Sequence, residues 1–292
     1  MSKIGFQINE LYDDEGSLRE KVAHVLEIKN ATLQNLYHKE PLTVDEVFNK
    51  LMEYKEAIAP YVADTFDFMY RAVKEGKNIL LEGQLGALKD TDFGIYPMVT
   101  SSNTIAGYGA VGGSGIPPYE IKEVITVVKA YSSAVGAGEF VSEILARKRM
   151  SCGAEAADGR TEYGPSSVAS RRMGWLDLVA TRYGCRVQGT TSIAFTVLDA
   201  LGYLDEIPVC VGYELDGKRI DSFPSTTKLK RAKPILEVLP GWKCDIRGIK
   251  KYEDLPENCR KYVEFAEKEI GIPIGIVSNG PARDDIIYRN TK

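Results

Sequence analysis

A stretch of small and polar residues behind one short apolar run holds the side chains best suited to chemistry. Residues 79–115 contain Glu82, Gln84, the run Thr-Ser-Ser-Asn-Thr at residues 100–104, and eight glycines. Glycines let a backbone approach a ligand closely, and hydroxyl and amide groups supply donors for phosphate, ribose or base oxygens. The stretch therefore indicates a nucleotide-handling loop, although the Walker A pattern G-x-x-x-x-G-K-[ST] occurs nowhere in the chain.

Nucleophilic catalysis and zinc binding find little support in the sequence. The only histidines, His24 and His38, fall in an amphipathic helical pattern, so a Ser-His-Asp or Cys-His pair would have to recruit one of them. The five cysteines are an odd number without C-x-x-C spacing, which argues against a disulfide framework or a zinc site. Cys152, in a polar loop, is left as a candidate exposed thiol.

Composition narrows the class of protein. The 292 residues are 44 % hydrophobic, which is enough to bury a substantial core. A formal charge of -4 argues against a broad nucleic-acid surface, while one basic pocket for a phosphate is still compatible with it. No run of 18 apolar residues and no signal-like N-terminus occurs, so we expect a cytoplasmic protein without a membrane partner.

The elements that must position these residues begin with helices. An apolar stripe predicts a helix over residues 18–37 with Ser17 as its N-cap, and Thr43 with Glu46 forms the capping box of a second helix. A third helix is expected over residues 61–75 and ends at Gly76.

Strands alternate with helices in the rest of the chain. Short apolar runs predict strands at residues 78–81, 191–198, 207–215 and 272–278, and helices are expected at 119–132, 171–183 and 255–270. This order favours one α/β domain with a mostly parallel sheet flanked by helices. Residues 147–170 lack periodicity, which is typical of a functional or disordered loop.

Blocks of residues spread over nearly the whole chain resemble the adenylosuccinate synthetase family, whose members join L-aspartate to IMP using GTP. The blocks are EGQLGALKDTDFGIYPMVTSSNT (82–104), KAYSSAVGAGEF (129–140), RRMGWLDLVATRY (171–183), FTVLDAL (195–201), PGW (240–242) and VSNGPARDD (277–285). The resemblance implies that family's fold, which is related to P-loop NTPases. It also implies Mg²⁺ as cofactor and GTP as co-substrate.

The resemblance places the first residues of this chain well inside the family's sequence. The family's phosphate loop, catalytic aspartate and catalytic histidine precede that point, so we expect no catalytic residue and no Mg²⁺ ligand within these 292 residues. The expected organisation is a single truncated domain. Residues 1–76 would form a helical, dimer-forming subregion, and residues 77–292 a sheet core with the nucleotide and aspartate subsites.

For the IMP subsite the resemblance implies Thr100 and Lys3 as phosphate contacts, with Lys3 reaching across a dimer interface. Leu85 stands where the family's purine-binding glutamine belongs, and an unpaired purine oxygen there costs on the order of 1 to 3 kcal/mol. Gln84 would take over that contact only if the loop shifted by one residue.

For aspartate the resemblance implies Ser166, Ser167 and Arg171, while Ala169 replaces an arginine that touches the nucleotide. For the guanine base of GTP it implies Asp199 together with Ser278, Asn279 and Gly280. Val197 and Ala134 replace a family lysine and a family arginine. For single residues simpler explanations stay open: a turn-stabilising hydroxyl at Thr100, a solvated first-turn residue at Arg171, a turn residue at Asp199.

The leading hypothesis is an adenylosuccinate synthetase-type ligase of AMP biosynthesis that is inactive or impaired as this chain alone. One alternative is a non-catalytic homologue that binds nucleotide, or dimerises with a complete synthetase through the helices at residues 18–37 and 44–75. Another is one half of a split enzyme.

Overall fold

The computed structural model describes residues 4–144, 163–164 and 167–289, which divide into two compact units, Met1–Phe68 and Met69–Lys292. The described helices are α1 (Glu15–Asn35), α2 (Val44–Ile58), α3 (Thr65–Lys74), α4 (Ala106–Ser114), α5 (Leu178–Gln188), α6 (Thr226–Leu229) and α7 (Glu257–Ile270). The described strands are β1 (Ile125–Lys129), β2 (Ser132–Ala134), β3 (Tyr163–Gly164), β4 (Ser167–Ser170), β5 (Arg172–Gly174), β6 (Leu176–Asp177), β7 (Ser192–Thr196), β8 (Glu206–Leu215), β9 (Lys218–Ile220), β10 (Lys233–Pro240), β11 (Ile274–Ser278) and β12 (Ile286–Tyr288).

The first unit is a small helical assembly. Its core is formed by Leu11, Leu18 and Phe48, which lie on a short 3-10 turn, α1 and α2. The predicted capping box of α2 is confirmed: Thr43 and Glu46 exchange side-chain and backbone hydrogen bonds. The prediction that Ser17 caps α1 is wrong, because the side chain of Asp14 accepts from the backbone N–H of Ser17 and the helix begins at Glu15.

α3 begins later than predicted. Residues 59–61 form a 3-10 turn after α2, and residues 62–64 have no regular structure. The carboxylate of Asp64 accepts from the backbone N–H of Asp67, as an N-cap does at the start of a helix.

The second unit contains the mostly parallel sheet that the sequence predicts. Its strand order is β1-β7-β11-β12, in which β1, β7 and β11 are parallel and β12 is antiparallel. Phe195 at the centre of the sheet packs against Tyr262 of α7, whose hydroxyl donates to the carbonyl of Ala130 at 2.6 Å. The α/β fold class is therefore confirmed.

A second sheet has the order β10-β8-β6, with β9 paired to β8. β8 and β10 are antiparallel, an arrangement that the sequence did not predict because β10 has no strict alternation of buried and exposed residues. Asp177 at the end of β6 accepts from the backbone N–H groups of Val179 and Ala180 and from the hydroxyl of Tyr213, so it caps α5 from inside the core. Burial nevertheless raises the pKa of Asp177.

Three predicted elements are wrong. Residues 119–132 form β1 rather than a helix, because the β-branched run at residues 125–128 outweighs the charged residues around it. The helix predicted at 171–183 starts only at Leu178, after β5 and β6. Residues 77–84 form no strand, since no neighbouring strand is paired with them among the described residues.

Within the described part of the chain, no helix combines the length and apolar character needed to cross a membrane.

Candidate functional site

Two predicted base-binding segments meet where adjacent parallel strands end. β7 and β11 pair in parallel, with Phe195 opposite Val277, so the residues that follow each strand emerge at the same edge of the sheet. Asp199 follows β7 by three residues, and Asn279 and Gly280 follow β11 directly. The carboxyl edge of such a sheet is the usual ligand position in α/β proteins.

The turn after β11 is held rigidly. The amide Nδ2 of Asn279 donates to the carbonyls of Ile246 and Ile249 at 2.7 and 2.9 Å, and this side chain is completely buried. Its Oδ1 has no hydrogen-bond partner. Gly280 lies so close to the carboxylate of Asp285 that a Cβ would collide with it. The side chain of Asn279 therefore fixes the shape of the turn.

The turn after β7 carries an unusual backbone. Val197 has a φ of 63°, in the left-handed region that a β-branched residue rarely adopts. It precedes a 3-10 turn, Leu198–Leu201, in which both leucines are buried, and that turn contacts β11. The half-buried Asp199 lies in this 3-10 turn, which contacts the strand that the Asn279 turn follows.

The polar loop at residues 86–104 is organised around one buried carboxylate. Asp90, 1 % exposed, accepts from the backbone N–H groups of Asp92, Phe93 and Thr104, each at 3.0 Å. Burial alone would raise the pKa of Asp90, but the three N–H donors outweigh it and hold the pKa below its ordinary value. A Cβ at Gly94 would collide with the carbonyl oxygens of Asp90 and Leu88, so this turn requires glycine.

The candidate IMP contacts lie in and next to this loop. The backbone N–H of Thr100 donates to the carbonyl of Lys89 at 2.8 Å, and the threonine is half-buried. Gln84 is exposed and its amide donates to the hydroxyl of Ser102 at 2.9 Å. Leu85 is 63 % exposed with a φ of 59°.

A cluster of charges borders residues 130–140. Arg172 forms a two-pronged ion pair with Glu143, at 2.6 and 3.0 Å, and donates to the carbonyls of Gly136 and Gly138. The bond to Glu143 raises the pKa of Arg172. Burial and the charge of Arg172 lower the pKa of Lys89, whose Nζ donates to the carbonyl of Met98. β2 and β5 pair in the antiparallel direction, and this pairing places Ala134 of β2 opposite Arg172 of β5.

The aspartate subsite is described only in part. Arg171 is half-buried between β4 and β5, and Ser167 begins β4. Lys3, Ser166 and Cys152 lie outside the described residues, and the loop predicted at 147–170 is described only in its strands β3 and β4.

Sequence reasoning missed several residues that shape the site. Asp90, Glu143 and Gln188 act through buried or long-range hydrogen bonds; Gln188, for example, bridges the N–H of Ala106 and the carbonyl of Thr104. The signal for Asp90 was present, since Asp-x-x-Phe-Gly is a turn pattern in which aspartate bonds the backbone two and three residues on.

The described residues bring no three His, Cys, Asp or Glu side chains together in a way that could hold a metal ion.

A parallel sheet with polar turns at its carboxyl edge, in a chain that also carries a glycine-rich polar loop, is typical of nucleotide-binding α/β proteins. Comparison with known proteins names the family: a model described as adenylosuccinate synthetase matches residues 1–287. The chain therefore belongs to the adenylosuccinate synthetase family, a family of ligases in purine nucleotide synthesis.

The similar proteins are longer than this chain. Adenylosuccinate synthetase of Streptomyces coelicolor is 41 % identical over 298 residues, which cover 100 % of this chain and 67 % of the relative. That of Caldanaerobacter subterraneus is 42 % identical over 290 residues, covering 99 % and 66 %. A fully ligated adenylosuccinate synthetase from Plasmodium falciparum has a TM-score of 0.86 at 29 % identity, covering 99 % and 67 %. The chain thus spans about two thirds of the relatives that it matches.

Proposed function

We propose that this chain provides the purine-nucleotide and aspartate subsites of an adenylosuccinate synthetase-type reaction, the GTP-dependent joining of IMP and L-aspartate in AMP synthesis. The observation that carries the proposal is the shared carboxyl edge of β7 and β11, from which the turn that contains Asp199 and the turn held by Asn279 both emerge. An aspartate fixed at such an edge is suited to accept hydrogen bonds from the N1 and N2 groups of guanine.

The proposed IMP subsite lies in and next to the loop around Asp90. In this proposal Thr100 and Lys3 bind the phosphate of IMP, and Gln84 lies near its base. Ser166, Ser167 and Arg171 hold the carboxylates of L-aspartate, for which a guanidinium provides two parallel donors. Ser278, Asn279 and Gly280 shape the base subsite, in which Gly280 leaves room for the carboxylate of Asp285 against the turn.

The chemical contribution of this chain is binding and orientation. In this proposal none of the residues assigned above abstracts the purine proton or stabilises the transferring phosphoryl group. Mg²⁺ would supply charge neutralisation during phosphoryl transfer when bound. We infer that the chain alone has negligible ligase activity, and we expect the reaction to be cytoplasmic.

We also propose a homodimer, or association with a complete synthetase, through the helices of the first unit. In this proposal Lys3 contacts a nucleotide bound by the partner subunit. The unit presents exposed Tyr54, Tyr61 and Phe66, which are side chains that interfaces favour.

The base subsite is tested by equilibrium binding of nucleotides to the purified chain. Asp199→Asn should weaken GTP binding about 10- to 100-fold, since a hydrogen bond to a charged group contributes about 1.5 to 3 kcal/mol. The same variant should gain affinity for xanthosine triphosphate, because its amide N–H matches the 2-oxygen of xanthine. Asp254→Asn, an exposed aspartate in another 3-10 turn, is the control. Unchanged GTP binding in Asp199→Asn would reject this subsite.

Activity is tested separately with IMP, GTP, Mg²⁺ and aspartate. Formation of adenylosuccinate by the chain alone at an enzyme-like rate would refute the inferred impairment. The non-catalytic alternative gains support from Leu85 and Val197, two aliphatic residues at positions of family ligand contacts. It predicts nucleotide binding without turnover even when the rest of a synthetase is supplied.

A further inference from the structure

Two residues of the polar loop at 86–104 use both their backbone N–H and their backbone carbonyl in hydrogen bonds to side chains. The N–H groups of Phe93 and Thr104 donate to the buried carboxylate of Asp90, each at 3.0 Å. Their carbonyls accept from α5: the hydroxyl of Tyr183 donates to Phe93 at 2.7 Å, and Nε2 of Gln188 donates to Thr104 at 2.8 Å. The loop is thus held between a carboxylate of its own and two side chains of one helix.

Thr104 is fixed by further bonds. Its hydroxyl donates to the carbonyl of Gly86 at 3.2 Å, and the residue is 8 % exposed. The other polar atom of the Gln188 amide, Oε1, accepts from the backbone N–H of Ala106 at 2.8 Å. One half-buried glutamine therefore satisfies a backbone carbonyl and a backbone N–H at the point where the loop passes into α4.

The helix that carries Tyr183 and Gln188 is itself firmly placed. The buried Asp177 caps the start of α5, and the ring of Tyr183 stacks on Phe223 with ring centroids 4.8 Å apart. α5 also contacts the turn at Ala87–Lys89. It therefore provides a fixed support for the two loop carbonyls.

We propose that Tyr183 and Gln188 are positioning residues, which hold residues 94–103 by the carbonyls at either end so that a ligand phosphate can bind at Thr100. The proposal rests on the proposed function for the identity of that ligand, IMP. Neither side chain has to touch the nucleotide. A segment anchored at both ends samples fewer conformations, so less ordering is required when the phosphate binds.

Two substitutions of Gln188 separate its hydrogen bonds from its shape. In Gln188→Met the side chain keeps a similar length and loses both polar groups. In Gln188→Glu the carboxylate can still accept from Ala106, but it faces the Thr104 carbonyl with no proton to donate, whereas a protonated carboxyl donates and accepts as glutamine does. Partial burial beside a carbonyl disfavours the charged form, so the pKa of the introduced carboxyl should lie above the ordinary glutamate value of about 4.3.

Binding of IMP and of inosine to the purified chain is measured by calorimetry at about pH 5 and about pH 8, on either side of the expected pKa of the introduced carboxyl. At the higher pH, both variants should bind IMP about tenfold more weakly than the native chain. At the lower pH, Gln188→Glu should recover to within about threefold of the native affinity, while Gln188→Met should not. Inosine lacks the phosphate, so its affinity should change less than about twofold.

Affinities are compared with the native chain at each pH, which removes the titration of the IMP phosphate. The titratable and charged side chains on the surrounding elements are unchanged in both variants: Asp90 of the loop, Tyr108 of α4, Glu123 beside β1, and Arg182, Tyr183, Cys185 and Arg186 of α5. The pKa of Asp90 lies below its ordinary value despite its burial, because of its three N–H donors, and burial raises the pKa values of Tyr183 and Cys185. A recovery at low pH therefore reports the introduced carboxyl.

Tyr183→Phe tests the second carbonyl. It keeps the ring that stacks on Phe223 and loses the bond to Phe93, so IMP binding should weaken about three- to tenfold. Tyr119→Phe is the matched control, since Tyr119 is 76 % exposed, and it should change IMP binding less than about twofold.

Hydrogen exchange shows whether the loop is released. The amides of Thr104 and Ala106 should exchange at least about tenfold faster in Gln188→Met than in the native chain. Three results would overturn the proposal: no recovery of Gln188→Glu at low pH, equal losses of IMP and inosine binding, or unchanged exchange of both amides. A native chain that binds no IMP contradicts the proposed function, whereas faster exchange in Gln188→Met would still support the anchoring of the loop by α5.

Discussion

Replacing Asp90 with asparagine tests whether one buried carboxylate holds the candidate IMP loop closed. In the native chain one carboxylate oxygen accepts from the N–H groups of Asp92 and Phe93, and the other accepts from that of Thr104. Asparagine keeps a single acceptor oxygen, so its NH₂ group must face the N–H of Thr104. A charge-assisted hydrogen bond is then lost and a buried donor is left unpaired.

The expected cost is about 2 to 4 kcal/mol, since a hydrogen bond to a charged group contributes about 1.5 to 3 kcal/mol and an unsatisfied buried donor costs about 1 to 3 kcal/mol. These two contributions overlap, so their sum is an upper limit. Asp92→Asn is the control, because Asp92 is exposed and its substitution should change stability by no more than about 0.5 kcal/mol.

Hydrogen exchange at the amides of Asp92, Phe93 and Thr104 locates the effect, and urea unfolding measures its size. The direction of the pKa shift of Asp90 determines how the stability difference between the two proteins changes with pH. Because the pKa of Asp90 is lowered in the folded chain, its contribution is complete above the unfolded pKa of about 3.9 and is lost as the pH falls through the folded pKa. The difference between the native chain and Asp90→Asn should therefore shrink only below about pH 4.

Binding of IMP should also weaken in Asp90→Asn, although Asp90 is not a candidate contact, because Thr100 is bonded to Lys89 within the same loop. Equal protection of the three amides in both proteins, or a loss of stability no greater than that of Asp92→Asn, would refute the reasoning.

Two further predictions concern the base subsite. Asn279→Asp should lower the free energy of unfolding by about 3 kcal/mol or more at neutral pH, because a carboxylate would face two carbonyl oxygens in a fully buried position. The control is Asn103→Asp, since Asn103 is exposed. Equal thermal melting temperatures for the two variants would contradict the prediction. Val197→Lys removes the β-branch from a residue with a left-handed backbone and supplies an aliphatic stem that can lie under a base. The affinity for GTP should therefore rise about tenfold without loss of stability. Titrations with GTP and with ATP test this prediction, and equal gains in affinity for both nucleotides would show that the added charge alone is responsible.

The sequence predicted two of the three parallel strands of the first sheet, β7 and β11, because each is a short apolar run bounded by turn-forming residues. The sequence-based prediction failed for segments whose structure depends on which strand pairs with them. Residues 78–81 read as a strand but have no described neighbour, and β1 read as a helix because charged residues at 120–123 imitate a helical period.

The candidate site likewise contains residues that the sequence motifs predict and residues whose role only the fold reveals. Asp199 and Gly280 are predicted as base contacts from their motifs, and the topology places the segments that follow β7 and β11 at one edge of the sheet. Asp90 and Asn279 act through contacts between residues far apart along the chain or through a folded turn, which spacing does not reveal. Asn279 was predicted as a ligand contact, and its structural role emerges only from the carbonyls of Ile246 and Ile249.

The two aliphatic replacements at candidate ligand contacts share one backbone property. Leu85 and Val197 both have left-handed φ values, 59° and 63°, at a cost of about 1 to 2 kcal/mol per residue. Glycine or asparagine would remove most of that cost. The buried Leu198 and Leu201, in the 3-10 turn that follows Val197, anchor the backbone in which Val197 holds this conformation. In the proposed base subsite, recognition of the base depends on Asp199 and on backbone groups, and the Val197→Lys variant tests whether the rest of that subsite fits a guanine nucleotide.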